Sequence, residues 1–190
     1  MKLKTKKFDE VINIKAIING KLIMKDRIIY DSVIVFDLKI VAIIDNDNFN
    51  QYKEKYKKEC NEEITIIDAK GRFVSPGLID IHIHGGGGYD TMDGSQEALK
   101  TIGNTIAANG VTSYLPTTMT MDTTSIYKAL DAVRDAMKIE NTGAKILGVH
   151  MEGPFINEKY KGAQMADNII KPDYDIIKDY LDIIDRKSVV

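Results

Sequence analysis

The sequence predicts an α/β protein in which a small antiparallel, β-rich segment precedes three alternating strand–helix units of a parallel sheet. Two observations carry this expectation. Near residue 75 the chain changes from short β-rich runs separated by turn residues to apolar runs alternating with helical spacings. In addition, the apolar runs 78–84 and 145–151 end in histidines and are followed by glycine-containing turns. Parallel α/β folds bind ligands at the carboxyl ends of such strands.

Before residue 75, β-rich runs are expected at 11–18, 21–24, 32–36, 39–44 and 64–67. Asn19-Gly20 separates the first two and is the strongest short hairpin cue in the chain. The interruption at 49–63 carries Lys53, Glu54, Lys55, Lys57, Lys58 and Glu59, and reads as a solvated helix or loop with no assigned function. The first strand of the second part is expected at 78–84. A helix follows over 95–109, with Ala98, Leu99, Ile102 and Ile106 on one face and Gly110 as its stop. The second strand is expected at 111–115. Ile126, Ala129, Leu130, Val133 and Met137 mark the next helix, closed by Gly143, and the third strand runs over 145–151. Pro172-Asp173 can open a last helix bearing Ile176, Ile177, Tyr180, Leu181 and Ile184.

Alternation along a strand puts His82 and His84 on one face and Ile81 and Ile83 on the other. A His-x-His pair can simply be polar residues on the wet side of a sheet. Here Leu78, Ile79, Ile81 and Ile83 flank the pair as in a strand buried on both faces, and Gly85 to Gly88 follow it. That context makes His82 and His84 candidate metal ligands. His150 and Glu152 share a face of the third strand. A carboxylate there could bridge two metal ions, or it could pair with a lysine or cap a turn.

Composition sets broad limits. The chain has 190 residues, enough for one or two domains, and 44% of them are hydrophobic, enough for a real core. With 26 basic against 28 acidic residues it carries no sustained field for nucleic acid or an anionic membrane. A single cysteine, Cys60, excludes a disulfide framework and fits a reducing compartment. The basic start at residues 1–7 is followed by no long apolar stretch, so neither a signal peptide nor a membrane span is expected. A soluble, cytoplasmic protein is the expectation.

Taken together, residues 74–88, Gly110-Val111-Thr112-Ser113-Tyr114-Leu115-Pro116-Thr117-Thr118, and Gly148 to Asn157 with Lys161-Gly162-Ala163-Gln164 resemble the amidohydrolase superfamily. Within it they are most similar to the N-acetylglucosamine-6-phosphate deacetylases. The first motif marks the superfamily; His150-Met151-Glu152-Gly153-Pro154-Phe155 with its Lys-Gly-Ala-Gln follower narrows the match. The resemblance implies a metal-dependent TIM-type (β/α)8 barrel. Residues 75–190 would be its N-terminal part, the first three β/α units of an incomplete barrel, and 1–74 an N-terminal β-sandwich segment. It also implies an activity: a divalent zinc, iron or manganese site, one or two ions, activates water to hydrolyse the acetamide of an amino-sugar phosphate, a small-molecule substrate of amino-sugar catabolism.

Carried over residue by residue, Glu152 matches the family's metal-binding glutamate, and His82 and His84 match the pair that holds a second metal. Ala163 and Gln164 fall at the pair that contacts the sugar, with glutamine where many members have histidine. His150 is read as structural. The resemblance further implies a homodimer in the full-length form.

A full barrel needs roughly 200 residues or more, and no histidine follows His150. Two further metal-binding histidines and the catalytic aspartate of the family are therefore expected beyond Val190, and no general base is nominated here. Asp173, Asp175, Asp179, Asp182 and Asp185 read as a solvated helix face. The chain is expected to be an N-terminal portion, marginally folded and inactive alone, with an unpaired parallel edge at its third strand. Another amidohydrolase, such as a cyclic amidase or deaminase, or a non-catalytic remnant module, are the alternative readings.

Overall fold

The computed structural model describes residues 13–139 and 143–184, with the backbone of 188–189. The start of the expected 11–18 strand, the basic residues 1–7 and most of the segment 185–190 lie outside the described residues. The chain divides into two compact units at Pro76 and Gly77.

In the first unit, β1 (Lys15–Ile18), β2 (Lys21–Ile23), β3 (Ile28–Ile29), β4 (Ser32–Phe36) and β5 (Ile40–Asp45) lead into helix α1 (Asn46–Cys60), and β6 (Thr65–Asp68) and β7 (Phe73–Val74) follow. They form two sheets, ordered β5-β4-β1-β6 and β3-β2-β7. The β4–β5, β1–β4 and β2–β3 pairs are antiparallel, but β1–β6 and β2–β7 are parallel. The expectation of a purely antiparallel segment is thus corrected: α1 supplies the long crossover that a parallel return requires.

Asn19-Gly20 does not close a hairpin either, since β1 and β2 belong to different sheets. Asn19 adopts a left-handed conformation, φ 54°. Its amide donates to Asp68 Oδ1 (3.0 Å), and its carbonyl accepts from the Gly71 N–H (2.8 Å). The turn is held by the 68–72 segment, so 15–23 and 65–74 change sheet side by side.

The charged run is a helix with one buried stripe. Phe49 and Tyr56, seven residues apart, pack with Ile14, Ala16, Val33, Val35, Val41 and Ile64, while the lysines and glutamates take the outer side. Left-handed Asn61 ends it, its N–H bonded to the Lys57 carbonyl.

The second unit alternates strand and helix. Strand β8 (Leu78–Ile83) is followed by a two-residue hairpin, β9 (Gly85–Gly86) and β10 (Tyr89–Asp90), and by α2 (Gln96–Ala107). Then come β11 (Val111–Pro116), α3 (Thr123–Ala136), β12 (Lys145–Ile146), β13 (Val149–His150), α4 (Tyr174–Ile183) and β14 (Ser188–Val189). The sheet order β12-β11-β8 is parallel throughout. A parallel bridge from Thr117 to His150 continues it to β13, which pairs in parallel with β14.

Two expectations change here. The third strand is broken into β12 and β13 at Leu147-Gly148, where Leu147 turns to solvent. Its outer edge is not bare, because Ser188 and Val189 pair with Val149 and His150.

Helices α2, α3 and α4 each start on a side-chain cap. Ser95 accepts from the Ala98 N–H, Asp122 from Ser125, and Asp173 from Asp175 and Ile176. The buried faces, Leu99, Ile102 and Ile106 on α2 and Ile126, Leu130 and Val133 on α3, enclose Tyr114 of β11 with Tyr180 and Ile184. The buried Tyr114 hydroxyl donates to the Leu99 carbonyl (3.0 Å), and burial pushes its pKa well above the usual tyrosine range. Among the described residues no helix is long and apolar enough to cross a membrane.

Leu130 is fully buried and Tyr174 is 78% exposed. Leu130→Ala should cost about 2–5 kcal/mol in urea unfolding, and Tyr174→Ala should stay within about 0.5 kcal/mol of the unsubstituted chain.

Candidate metal centre

Strand β8 delivers two imidazoles to one point. With Ile83 turned to the opposite face, His82 and His84 bring their Nε2 atoms to 3.4 Å of one another. Glu152, two residues past β13, places Oε2 at 3.1 Å from each of these nitrogens. All three side chains are between one-third and one-half exposed. Among the described residues this is the only group of three or more His, Cys, Asp or Glu side chains with mutually close donor atoms.

The triangle is held from the carboxyl end of β11. Thr117 forms a reciprocal pair with Ile83, the residue between the two histidines: its N–H donates to the Ile83 carbonyl (2.8 Å), and its Oγ1 accepts from the Ile83 N–H (2.9 Å). Thr118 Oγ1 accepts from the Glu152 N–H (3.2 Å), and the Thr118 N–H donates to the His150 carbonyl (3.0 Å). The Thr120 N–H donates to Gln164 Oε1 (2.7 Å), whose Nε2 donates in turn to Glu152 Oε1 (2.6 Å). Gly153 closes against the same segment. Its φ is +76°, and a Cβ there would lie 2.0 Å from Thr120 Oγ1, so only glycine fits.

On β8, Asp80 Oδ1 accepts from the His82 N–H (3.0 Å), and the His84 carbonyl accepts from the Thr91 N–H (2.7 Å). His150 lies outside the triangle. Its Nδ1 donates to the Ile81 carbonyl (2.8 Å) and its ring meets that of His82 edge-on, with centroids 4.5 Å apart. Of the pair expected to contact a sugar, Ala163 is exposed and Gln164 is 6% exposed.

The expectation that β8 is buried on both faces is corrected. Leu78, Ile79 and Ile81 are 60–64% exposed, because β8 is the edge strand of the order β12-β11-β8.

The three donors fit a divalent ion. Ligand bonds of about 2.1 Å at tetrahedral angles separate donor atoms by about 3.4 Å, and the separations here are 3.1, 3.1 and 3.4 Å. Three lone-pair atoms at such distances repel one another unless a proton or a cation lies among them. Two imidazoles and a carboxylate form a donor set that zinc, iron and manganese all accept.

The family model of the amidohydrolases ("Amidohydrolase family") matches residues 73–183, more than half of the chain and all of the site residues above. The chain belongs to the amidohydrolase family. This amidohydrolase is 39% identical over 112 residues to the N-acetylglucosamine-6-phosphate deacetylase of Lysinibacillus sphaericus, covering 59% of the chain and 29% of that protein. It is 39% identical over 129 residues to that of Bacillus subtilis (strain 168), covering 66% of the chain and 31% of that protein. The chain therefore spans less than a third of the length of these curated relatives. Among solved structures, N-acetylglucosamine-6-phosphate deacetylase from Pasteurella multocida superposes with a TM-score of 0.73 at 25% identity, over 92% of this chain and 43% of that one.

The structure brings together His82, His84 and Glu152, which the sequence nominates as metal ligands, and adds Thr117, Thr118 and Thr120, to which the sequence assigns no task. The available signal was Thr117-Thr118-Met119-Thr120 directly after a buried strand, with hydroxyls where a chain leaves a parallel sheet.

Thr117→Val keeps the shape and removes the acceptor for the Ile83 N–H. It should cost about 1–3 kcal/mol of stability, and hydrogen exchange should show the Ile83 amide losing protection while Thr117→Ser retains it.

Proposed function

We propose that this chain carries the metal-binding edge of a (β/α)8-barrel amide hydrolase that removes the acetyl group from N-acetylglucosamine-6-phosphate. Its second unit would supply the first β/α units of that barrel, with the start of the next strand at β14. The observation that carries the reading is the donor triangle of His82 Nε2, His84 Nε2 and Glu152 Oε2, at the carboxyl edge of a parallel sheet. The names of the relatives supply the substrate class.

To hold a cation, His82 and His84 would present their Nε2 lone pairs toward one point, with the ring protons on Nδ1. Glu152 adds one negative charge through Oε2, so the three residues together favour a divalent cation over a monovalent one. Zinc, iron or manganese bound there supplies Lewis acidity, lowering the pKa of water and polarising an amide carbonyl. His150 braces this arrangement, since its bond to the Ile81 carbonyl fixes the β8 backbone beside His82. Ala163 is the exposed member of the 163–164 pair and is open to contact a sugar, whereas the Gln164 amide is committed to Glu152 and Thr120.

The test is a hybrid in which residues 73–183 replace the matching segment of the Lysinibacillus sphaericus relative. The hybrid should release acetate from N-acetylglucosamine-6-phosphate. Glu152→Gln should lower turnover by more than the roughly 10- to 100-fold typical of losing a partner outside the ligand set. A folded hybrid without activity, or one indifferent to Glu152→Gln, contradicts the reading.

Zinc should also stabilise the 190-residue chain. At about 100 times Kd the unfolding free energy should rise by about 2.7 kcal/mol, and a chelator should reverse the gain. His82→Ala combined with His84→Ala should abolish it at the same zinc concentration.

A further inference from the structure

We infer that Gln164 is a positioning residue whose side-chain amide, anchored on the Thr120 backbone, fixes which oxygen of Glu152 faces the two imidazoles. The inference rests on the metal reading of the triangle above and assigns Gln164 a task beyond contact with a substrate.

The two ends of the amide are determined by their partners. The Thr120 N–H can only donate, so it must face Gln164 Oε1 (2.7 Å); an ionised carboxylate can only accept, so Glu152 Oε1 must face Gln164 Nε2 (2.6 Å). Both contacts are satisfied by one orientation of the amide and broken by its flip. Glu152 Oε1 is thereby engaged, and Oε2 is left pointing at His82 and His84 at 3.1 Å each.

Gln164 is itself restrained. It is 6% exposed, its carbonyl accepts from Lys161 Nζ (2.8 Å), and its N–H donates to the Lys161 carbonyl (3.1 Å). The restraint matters because a glutamate side chain has three rotatable bonds and would otherwise lose that freedom only when a ligand bound. The choice of an amide also matters. It donates a hydrogen bond without bringing the positive charge with which a lysine or arginine would oppose a bound cation. Nor does it bring the negative charge of a second carboxylate, which would repel Glu152. Asparagine carries the same amide one methylene nearer the backbone of residue 164, short of both the Thr120 N–H and Glu152 Oε1.

Cobalt(II) titration of the 190-residue chain, read by d–d absorption, tests this in Gln164→Met and Gln164→Asn, each alone and combined with Glu152→Ala. Met preserves side-chain length and removes both polar contacts; Asn preserves polarity and serves if Met impairs folding, which the thermal midpoint of the metal-free protein reports. Both variants should weaken cobalt binding about 10- to 100-fold, the range for partners that orient a metal ligand. In the Glu152→Ala background neither should weaken the residual binding further.

Affinities equal to that of the unsubstituted chain, or an equal loss in the Glu152→Ala background, would overturn the inference while leaving the metal reading intact. Absence of cobalt binding by the unsubstituted chain would overturn the metal reading and this inference with it.

Discussion

Thr117 stands between the two chain segments that carry the donor atoms, and the site depends on its bonds. Its N–H and hydroxyl both engage Ile83, which fixes the level at which β8 ends and therefore where His82 and His84 project. Its backbone also bridges in parallel to His150, which sets the level of β13 and of Glu152 beyond it. A one-residue slip of β8 against β11 would send both imidazoles to the opposite face. Residues separated by 68 positions in sequence meet within 3.1 Å because β11 holds both neighbours in register.

The same economy runs through the rest of the 117–120 segment. These residues leave a buried strand as a loop, so their backbone and hydroxyl groups need partners. Two of these groups find them on the site residues: the Thr118 hydroxyl on the Glu152 backbone, and the Thr120 N–H, through Gln164, on the Glu152 side chain, while the Thr120 hydroxyl is buried without a hydrogen-bond partner. Satisfying those two groups of one loop thus orients the carboxylate. The helices work behind this edge. Leu99, Ile102, Leu130 and Val133 bury Tyr114, and Tyr114 lies three residues before Thr117, so the packed core and the site share one strand.

Much of this was legible in the sequence where the signal was local. His-x-His on an apolar strand gives a shared face by alternation alone, and the spacings of α2 and α3 give their buried stripes. Asn19-Gly20 shows the limit of local reading. It signals a turn, but whether that turn closes a hairpin or passes the chain to another sheet depends on Asp68 and Gly71, about fifty residues away. Exposure of Ile79 and Ile81 was equally hidden, because an apolar run does not say whether its strand is central or at an edge. Gln164 was noticed for its place in a motif, yet its contact with Glu152 follows from the path of the 153–164 segment, which carries no periodicity to read.

The central proposal is that His82, His84 and Glu152 together hold a divalent ion. X-ray absorption at the zinc edge of the zinc-loaded chain tests it most directly. The account predicts a ligand shell of nitrogen and oxygen at about 2.0–2.2 Å, with the multiple-scattering signature of two imidazoles falling to one in His84→Ala. A shell without imidazole scattering, or one unchanged by removing either histidine, would contradict it.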